Sequence, residues 1–403
     1  MTVSYHAPLA WLKNFALLVA SFLCGLLLIE FALRLMGWSF PIIMQPDLDL
    51  GWSHRPGMIG WSSSPENTAY LRMNRFGFRG PDWPQRPAIN TFRIAVIGDS
   101  FIESSSLPEE HSLTGLIENR LSACSAFKDR HVEVLNFGVS GYGTAQEYVL
   151  LQRQVVLFDP NLVLLVFYVG NDVSDNNRPL SAETQKERPY FIEQPSGELQ
   201  LDTSFRNTDT FRKDIESDWQ KRLINVSYLL QALKQMFKNR FIMPGPFEPQ
   251  EFHRDTVRTE LSAPQFSKLY SKPTDDVWLS AWSVTEKLLV HLRDWSNQKS
   301  IGLELVILPA AIQVLPGEDM RRTASQAFGL GNLEYPSERI AQFATENGIP
   351  YLNLLDPLRA YADRERVFLY GFPPLLGDGH LNATGSRVSG ELIADRLCRL
   401  LSP

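Results

Sequence analysis

The chain has 403 residues and a formal net charge of −6, with 44% hydrophobic and 21% charged residues. This length allows one large domain with insertions or two smaller domains, and the composition is that of a globular protein with a buried core. Because the overall charge is acidic and the sequence has no basic run, we do not expect nucleic acid as a partner.

The first part of the chain contains an apolar run. Residues 15–29 carry no charge, and Glu30 and Arg34 follow four residues apart, so that their side chains can pair on one helix face. Trp11 and Trp38 bracket the run, as aromatic residues do at membrane interfaces. We therefore predict a single-pass signal anchor, with the rest of the chain exported. A cleaved signal peptide and a buried core helix are the alternatives, although no small-x-small cleavage site follows the run.

Beyond this run, the sequence divides into a collar and a large domain. We assign residues 1–38 to the anchor, 39–91 to a linker that forms an ordered collar, and 92–403 to the domain. In the domain, apolar strands alternate with helical patterns, which is typical of an α/β fold with a parallel sheet. Residues 180–300 interrupt the alternation and are predicted to form an inserted helical cap. The predicted strands are 93–100, 132–141, 161–172, 303–310 and 350–355, and the predicted helices are 109–123, 143–157, 214–240, 275–299, 336–348 and 383–401.

The three cysteines, Cys24, Cys124 and Cys398, are far apart and lack the spacing of metal ligands. Cys24 lies in the apolar run. For the other two, free and mostly buried thiols are the favoured interpretation. A Cys124–Cys398 disulfide is the alternative if the domain is extracytoplasmic.

Four short motifs follow predicted strands or precede the last helix. In open parallel sheets, ligands bind at the carboxyl ends of the strands. A serine placed there can act as a nucleophile, an asparagine can donate to an oxyanion, and an imidazole can take the serine proton. Each motif alone also has an ordinary explanation as a helix cap, a turn or a structural histidine. The motifs are GDSF at 98–101, NFGVSGYG at 136–143, GND at 170–172 and GDGHLN at 377–382.

In this order, the four motifs resemble those of the SGNH hydrolase superfamily, over residues 92–180 and 301–401. The anchor and the collar segment MNRFGFRG are also similar to membrane-anchored bacterial SGNH proteins. The resemblance implies a three-layer α/β/α flavodoxin-like sandwich. It further implies a nucleophile at Ser100, a general base at His380, and an oxyanion hole formed by the backbone N–H groups of Ser100 and Gly141 and the side chain of Asn171.

The acid of the expected triad departs from the superfamily pattern, in which it stands three residues before the histidine. Gly377 occupies that position here, and Asp378 is two residues before His380. This spacing is similar to that of SGNH-like proteins that O-acetylate exopolysaccharides. We predict that Asp378 orients His380, with a Ser–His dyad oriented by a backbone carbonyl as the alternative.

Together, these features predict a serine esterase or acyltransferase that forms a covalent ester on Ser100. The expected substrate carries O-acetyl groups on a cell-envelope or exported polysaccharide, and a lipid ester is the next candidate. No metal or organic cofactor is needed. A non-catalytic accessory protein that binds a glycan is the competing hypothesis, and the expected location is the membrane with the domain in the periplasm.

Overall fold

The structure, a computed structural model, describes residues 7–64, 66–237, 247–254 and 267–402. Within these residues, one helix is long and apolar enough to cross a membrane by length and composition. It spans Ala10–Leu35 with a mean hydropathy of 2.5, and the rest of the protein does not bury it. The collar that follows is ordered and consists of two antiparallel hairpins. This part of the chain comprises α1 (Ala7–Leu35), β1 (Met44–Asp47), β2 (Gly51–His54), β3 (Ile59–Ser63) and β4 (Thr68–Arg72).

From Thr91 onward, strands and helices alternate along the chain. The first half of this region contains β5 (Thr91–Gly98), α2 (Ser100–Glu103), α3 (Leu113–Ser122), β6 (His131–Gly138), α4 (Thr144–Arg153), β7 (Leu162–Tyr168), α5 (Asp172–Asp175), β8 (Tyr190–Glu193), β9 (Leu199–Asp202), α6 (Asp209–Val226) and α7 (Tyr228–Phe237). The second half contains β10 (Phe252–His253), α8 (Asp276–Gln298), β11 (Gly302–Leu308), α9 (Glu318–Phe328), α10 (Tyr335–Glu346), β12 (Tyr351–Asn353), α11 (Leu355–Glu365), β13 (Val367–Phe368), β14 (Tyr370–Phe372), β15 (Leu375–Leu381) and α12 (Ala383–Leu401).

The central sheet is parallel, and its described strands lie in the order β12–β11–β7–β5–β6. Counted in chain order from the β6 edge, this is 2-1-3-4-5, the flavodoxin-like order of doubly wound sheets. In such sheets the ligand site lies at the carboxyl ends of the strands, where the strand order reverses. The ends of β5, β6 and β7 therefore frame the expected site.

Side chains that follow one another along a strand point to opposite faces of the sheet, and each face is covered by a hydrophobic core. On β5, Ala95 and Ile97 belong to one core, and Ile94 and Val96 belong to the other. Helices α4, α8 and α10 cover the first core, and helices α3, α11 and α12 cover the second. A strand buried on both faces is a continuous apolar run in the sequence, which is why the pattern could reveal it. The predicted three-layer α/β/α sandwich with a parallel sheet is confirmed.

The region predicted as an inserted cap contains helices with different locations in the fold. Helix α8, expected at 275–299, is a buried part of the sandwich: Trp282 and Leu288 are fully buried in the core that it shares with β11. Helices α6 and α7 lie beside α1 and the collar, and they occupy most of the range 214–240. Residues 238–240 lie outside the described residues.

Helices α6 and α7 replace the single helix predicted over 214–240. The break is at Ser227, whose backbone is extended (φ −118°, ψ 123°). Its hydroxyl accepts a hydrogen bond from the Leu230 N–H in the first turn of α7, as an N-cap residue does. The carboxylate of Glu30 on α1 accepts from Ser227 Oγ and from the next two backbone N–H groups. A contact almost two hundred residues away in sequence therefore stabilises the break.

Cys124 and Cys398 form a disulfide, so the favoured interpretation of two free thiols is wrong. Cys124 follows α3, Cys398 lies on α12, and these two helices pack side by side with 6.0 Å between the cysteine Cα atoms. The residues are 274 positions apart, and no local pattern in the sequence brings them together. Cys24 is a free, exposed cysteine on α1.

Candidate active site

Ser100 lies at the carboxyl end of β5, where the chain turns into the short helix α2. Asp99 caps this helix, since its Oδ1 accepts a hydrogen bond from the Phe101 N–H at 2.9 Å. The end of β6 packs closely against the same helix: a Cβ atom at Gly138 would lie 2.2 Å from the Glu103 backbone nitrogen. The glycine in the NFG motif is therefore needed for this close approach, which fixes the position of the serine.

Ser100 and His380 are 280 positions apart in the sequence, and the fold brings their side chains into contact. His380 lies near the end of β15, and its Nε2 is 2.7 Å from Ser100 Oγ. Its Nδ1 lies 2.8 Å and 2.9 Å from the two carboxylate oxygens of Glu66. The Phe101 ring packs at 4.9 Å from the imidazole, between the centroids of the two rings. This arrangement has the connectivity of a serine–histidine–carboxylate triad.

Glu66 comes from the collar, in the turn between β3 and β4. Its carboxylate also accepts hydrogen bonds from Ser106 Oγ at 3.1 Å and from the backbone N–H of His380 at 3.3 Å. The sequence analysis did not single out this residue. Glu66 stands in a polar turn, SSSPENT, and no motif or spacing there connects it with a histidine 314 positions later.

Asp378 does not make the contact that was predicted for it. Its Oδ1 accepts a hydrogen bond from the adjacent Gly379 N–H at 2.8 Å, whereas the carboxylate on His380 Nδ1 is that of Glu66. Gly377 and Gly379 both have positive φ angles, 79° and 72°, and they turn the chain on either side of Asp378. This double turn leaves Asp378 exposed at the cavity beside Ser100.

The contact between His380 and Glu66 shifts the pKa of both groups. Burial lowers the pKa of His380, but the hydrogen bond and charge of Glu66, with the charges of Asp99 and Glu103, leave that pKa above its ordinary value. Burial raises the pKa of Glu66, but hydrogen bonds from His380 and Ser106 and the charge of His380 leave it below its ordinary value. An ionised Glu66 therefore makes His380 a stronger base than a free imidazole.

The other predicted site residues, Gly141 and Asn171, line the same cavity as Ser100 and His380. Asn171 Nδ2 donates to Asp99 Oδ2 at 3.1 Å. A side-chain amide carries two N–H bonds, so one of them is still available to a ligand. Gly141 has a φ of 78°, and a Cβ atom there would lie 2.5 Å from Gln185 Nε2, so the turn requires glycine.

Hydrogen bonds to both backbone groups of Ser140 stabilise the turn that contains Gly141. The Ser140 N–H donates to Glu103 Oε2 at 2.6 Å, and Trp52 Nε1 donates to the Ser140 carbonyl at 3.0 Å. Glu103 Oε2 also lies 3.0 Å from His54 Nε2. Burial raises the pKa of Glu103, but the charge and hydrogen bond of His54 and the Ser140 N–H lower it to about 2. Glu103 therefore stays ionised and fixes this turn, with His54 and Trp52 supplied by the collar.

Buried carboxyl groups lie beneath the site. Burial, together with mutual repulsion and the charges of Asp99 and Asp175, raises the pKa of Glu147 and Asp172 well above the ordinary values. Asp172 Oδ2 accepts a hydrogen bond from the Tyr168 N–H at 2.8 Å. Both carboxyl groups therefore hold their protons to higher pH than exposed carboxyl groups do, which disfavours negative charge beneath the site.

The cavity in front of Ser100 has a volume of about 520 Å³, within the usual range of small-molecule sites. Its lining includes the polar side chains of Thr184, Gln185 and Asp378 and the aromatic rings of Tyr168 and Tyr270. The cavity is therefore large enough for a small organic ligand.

No protein-family model matches the chain, and no curated protein matches it. Among solved structures, the chain is similar to the acetyl xylan esterase AlAXEase at 13% identity, over 76% of this chain and 100% of that one, with a TM-score of 0.38. It is also similar to a catalytic mutant of Axe2, an acetylxylan esterase from Geobacillus stearothermophilus, at 12% identity, over 76% and 94% of the two chains, with a TM-score of 0.37. A lipase/acylhydrolase from Enterococcus faecalis is similar at 12% identity, over 77% and 98%, with a TM-score of 0.37.

Proposed function

We propose that this protein is a membrane-anchored serine esterase or acyltransferase that acts on O-acetyl groups of an exported or cell-envelope carbohydrate. The observation that carries the proposal is the chain of contacts from Ser100 Oγ to His380 Nε2 and from His380 Nδ1 to Glu66. A hydroxyl, a raised-pKa imidazole and an ionised carboxylate in this order can activate the hydroxyl as a nucleophile.

In the proposed reaction, His380 takes the proton of Ser100 while Ser100 Oγ attacks the ester carbonyl carbon. The negative charge on the carbonyl oxygen is met by the backbone N–H groups of Ser100 and Gly141 and by the side-chain amide of Asn171. When the intermediate collapses, the alcohol leaves with the proton from His380, and the acyl group stays on Ser100. Water then attacks the acyl-serine and releases the acid, which makes the protein a hydrolase. If a sugar hydroxyl attacks instead, the protein is a transferase.

The lining of the cavity supports a carbohydrate as the group that carries the acetyl. Amide, hydroxyl and carboxylate side chains (Gln185, Thr184 and Asp378) can bind sugar hydroxyls, and the tyrosine rings offer apolar faces to a sugar ring. We assign to Asp378 the role of binding the substrate at the mouth of the cavity, in place of orienting the histidine. An anchor through α1 would keep the enzyme beside envelope substrates.

The proposal is tested by replacing Ser100 with alanine, with Ser105→Ala as the matched control. Ser105 lies in the turn that follows α2, five residues after the nucleophile, and is partly buried. We expect Ser100→Ala to abolish the hydrolysis of p-nitrophenyl acetate and labelling by a fluorophosphonate probe, because no other group would form the acyl ester. Ser105→Ala should retain both. Equal hydrolysis by Ser100→Ala and the wild type would exclude the mechanism.

The same assays separate the competing functions. A glycan-binding accessory protein would bind acetylated oligosaccharides equally well with Ser100→Ala and would leave the wild type unlabelled by the probe. A lipid esterase would cleave long-chain esters in preference to acetylated oligosaccharides. We expect acetylated oligosaccharides to be the better substrates, because polar side chains line much of the cavity.

A further inference from the structure

Helix α6 carries an apolar stripe on its exposed face. Ile215, Trp219, Leu223 and Val226 follow one another at spacings of four, four and three residues, so they fall on one side of the helix. These side chains are between 43% and 69% exposed. The opposite side of α6 packs against the body of the protein, where Asp218 binds Arg55. Within the part of the chain that the structure describes, this stripe is therefore an exposed apolar surface.

Helix α7 has polar side chains on its buried face and apolar side chains on its exposed face, unlike an ordinary surface helix. Its buried residues are Gln231, Gln235 and the small Ala232, and its outer face carries Leu233, Met236 and Phe237. The buried Gln231 is satisfied by hydrogen bonds with the segment that follows α1. In water, glutamine is favoured outside and leucine, methionine and phenylalanine inside. The reversal indicates that the medium outside α7 is apolar.

The two charged residues at the end of α1 are bound to the junction of α6 and α7. Glu30 accepts hydrogen bonds from the backbone N–H groups of Tyr228 and Leu229, at 3.1 Å and 2.8 Å. Arg34 donates to the Val226 carbonyl at 2.7 Å, and it pairs with Glu30. The end of α6 and the start of α7 therefore lie at the same level along α1 as these two charges.

This level is that of the membrane surface if α1 is the proposed anchor. About 20 helical residues cross the hydrocarbon core of a bilayer, and the uncharged run 15–29 reaches that length only with the turns up to Arg34, so the paired charges lie at the end of the span. The helical turns that carry Glu30 and Arg34 then emerge on the side of the domain. Arg34 of α1 contacts Val226 at the end of α6 and the ring of Tyr228 at the start of α7, so α6 ends and α7 begins beside the exposed apolar surface of α1.

We propose that α6 and α7 lie in the membrane interface, with their apolar faces in contact with lipid, and hold the catalytic domain against the bilayer surface. The inference rests on the membrane anchor of the proposed function. Lipid is the occupant because the stripe of α6 ends, and helix α7 begins, beside the exposed apolar surface of α1, at the level of its paired charges. Trp219, 61% exposed in the middle of the α6 stripe, has the amphipathic ring that favours the headgroup region.

The test uses full-length protein in vesicles of phosphatidylcholine and phosphatidylglycerol. Leu223→Cys and Met236→Cys, each in a Cys24→Ser background, are labelled with an environment-sensitive NBD fluorophore. The control is Leu400→Cys, which is 47% exposed, close to the 53% of Leu223. Leu400 lies near the far end of the 19-residue helix α12, which begins beside His380. At 1.5 Å per residue, it is about 26 Å from the site edge of the sheet.

We expect a severalfold loss of NBD emission at 223 and 236 when the vesicles contain phosphatidylcholine with a nitroxide near the top of its acyl chain, and no loss at 400. Equal behaviour at 223, 236 and 400 would overturn the proposal. Protection of 223 and 236 from aqueous iodide without quenching by the lipid would also overturn it, because a second copy or another protein would then cover the stripes.

The native Cys24, labelled in the wild-type chain, reports on the anchor separately. Lipid quenching at position 24 without quenching at 223 and 236 contradicts the interface location alone. Absence of quenching at position 24 removes the anchor, and the present inference with it. Hydrolysis of p-nitrophenyl acetate by the same samples reports the proposed chemistry independently of both results.

Discussion

The most informative perturbation of the candidate site is Glu66→Gln, compared with Asp378→Asn. Glutamine has nearly the same shape as glutamate, and its amide oxygen can still accept the hydrogen bond from His380 Nδ1. The substitution therefore removes the negative charge while the contacts at 2.8 Å and 2.9 Å stay within reach. Asp378→Asn removes a charge from an exposed side chain that hydrogen-bonds only its neighbour among the described contacts.

The expected loss follows from the role of the carboxylate. In the proposed reaction, an ionised Glu66 stabilises the imidazolium that forms when His380 takes the Ser100 proton, and it holds the tautomer with Nε2 free to accept that proton. Removal of such a group lowers kcat by roughly 10²–10⁴-fold, or about 3–5 kcal/mol of transition-state stabilisation. Asp378→Asn should instead leave kcat for p-nitrophenyl acetate within about threefold of the wild type, because this substrate lacks the sugar hydroxyls that Asp378 is proposed to bind and an exposed charge contributes little by itself.

The pH profile gives a second readout that a purely structural role would not move. The pKa of His380 is raised by Glu66, so the activity of the wild type is present above that raised pKa and is lost as the pH falls through it. Without the charge at Glu66, the pKa of His380 falls, and the acid limb of kcat/KM shifts to lower pH while the plateau decreases. The reasoning is refuted if Glu66→Gln keeps both the rate and the profile of the wild type, and above all if Asp378→Asn shows the changes instead.

Three further substitutions test other parts of the site and the fold. Asn171→Ala should lower kcat about 10²–10³-fold with little change in KM, as loss of an oxyanion donor does; an unchanged kcat in p-nitrophenyl acetate assays would remove Asn171 from the oxyanion hole. Glu103→Gln should slow labelling by a fluorophosphonate probe, because a neutral side chain holds the Ser140 N–H less firmly, and labelling at the wild-type rate would contradict this role. Joint replacement of Cys124 and Cys398 by serine should lower the free energy of unfolding in urea by about 2–5 kcal/mol without changing kcat; equal stability would mean that the bond contributes nothing.

The sequence revealed the sheet because its strands are buried on both faces. A segment such as 94–98 or Leu162–Tyr168 is an apolar run bounded by turn residues, and the parallel sheet follows from the alternation with helices. The parallel sheet also explains why Ser100, Gly141 and Asn171 share a cavity, since each follows a strand that ends at the same edge.

The features that the sequence did not reveal depend on contacts between distant segments. Glu66 reaches the site because a collar hairpin folds over the sheet, and no periodicity records that packing. The break between α6 and α7 depends on a carboxylate from α1, and the helical pattern across Ser227 is otherwise continuous. The position of Asp378 depends on two positive φ angles at neighbouring glycines. Local patterns specify elements and turns, whereas these contacts depend on the complete fold.

The collar connects the candidate triad to the N-terminal helices through a short series of contacts. Gln231 on α7 accepts a hydrogen bond from the Phe40 N–H at 2.6 Å, and the neighbouring Ser39 carbonyl accepts one from the Trp61 N–H at 2.7 Å. Trp61 belongs to β3, the first strand of the hairpin whose turn contains Glu66. The carboxylate that raises the pKa of the proposed base is thus positioned by the same segment that packs against α1 and α7. If α6 and α7 rest on a membrane, the placement of Glu66 and the attachment of the domain depend on one structural unit. Changes in that unit would then affect the proposed proton transfer at Ser100, even though the three residues proposed to bind the oxyanion follow strands of the sandwich.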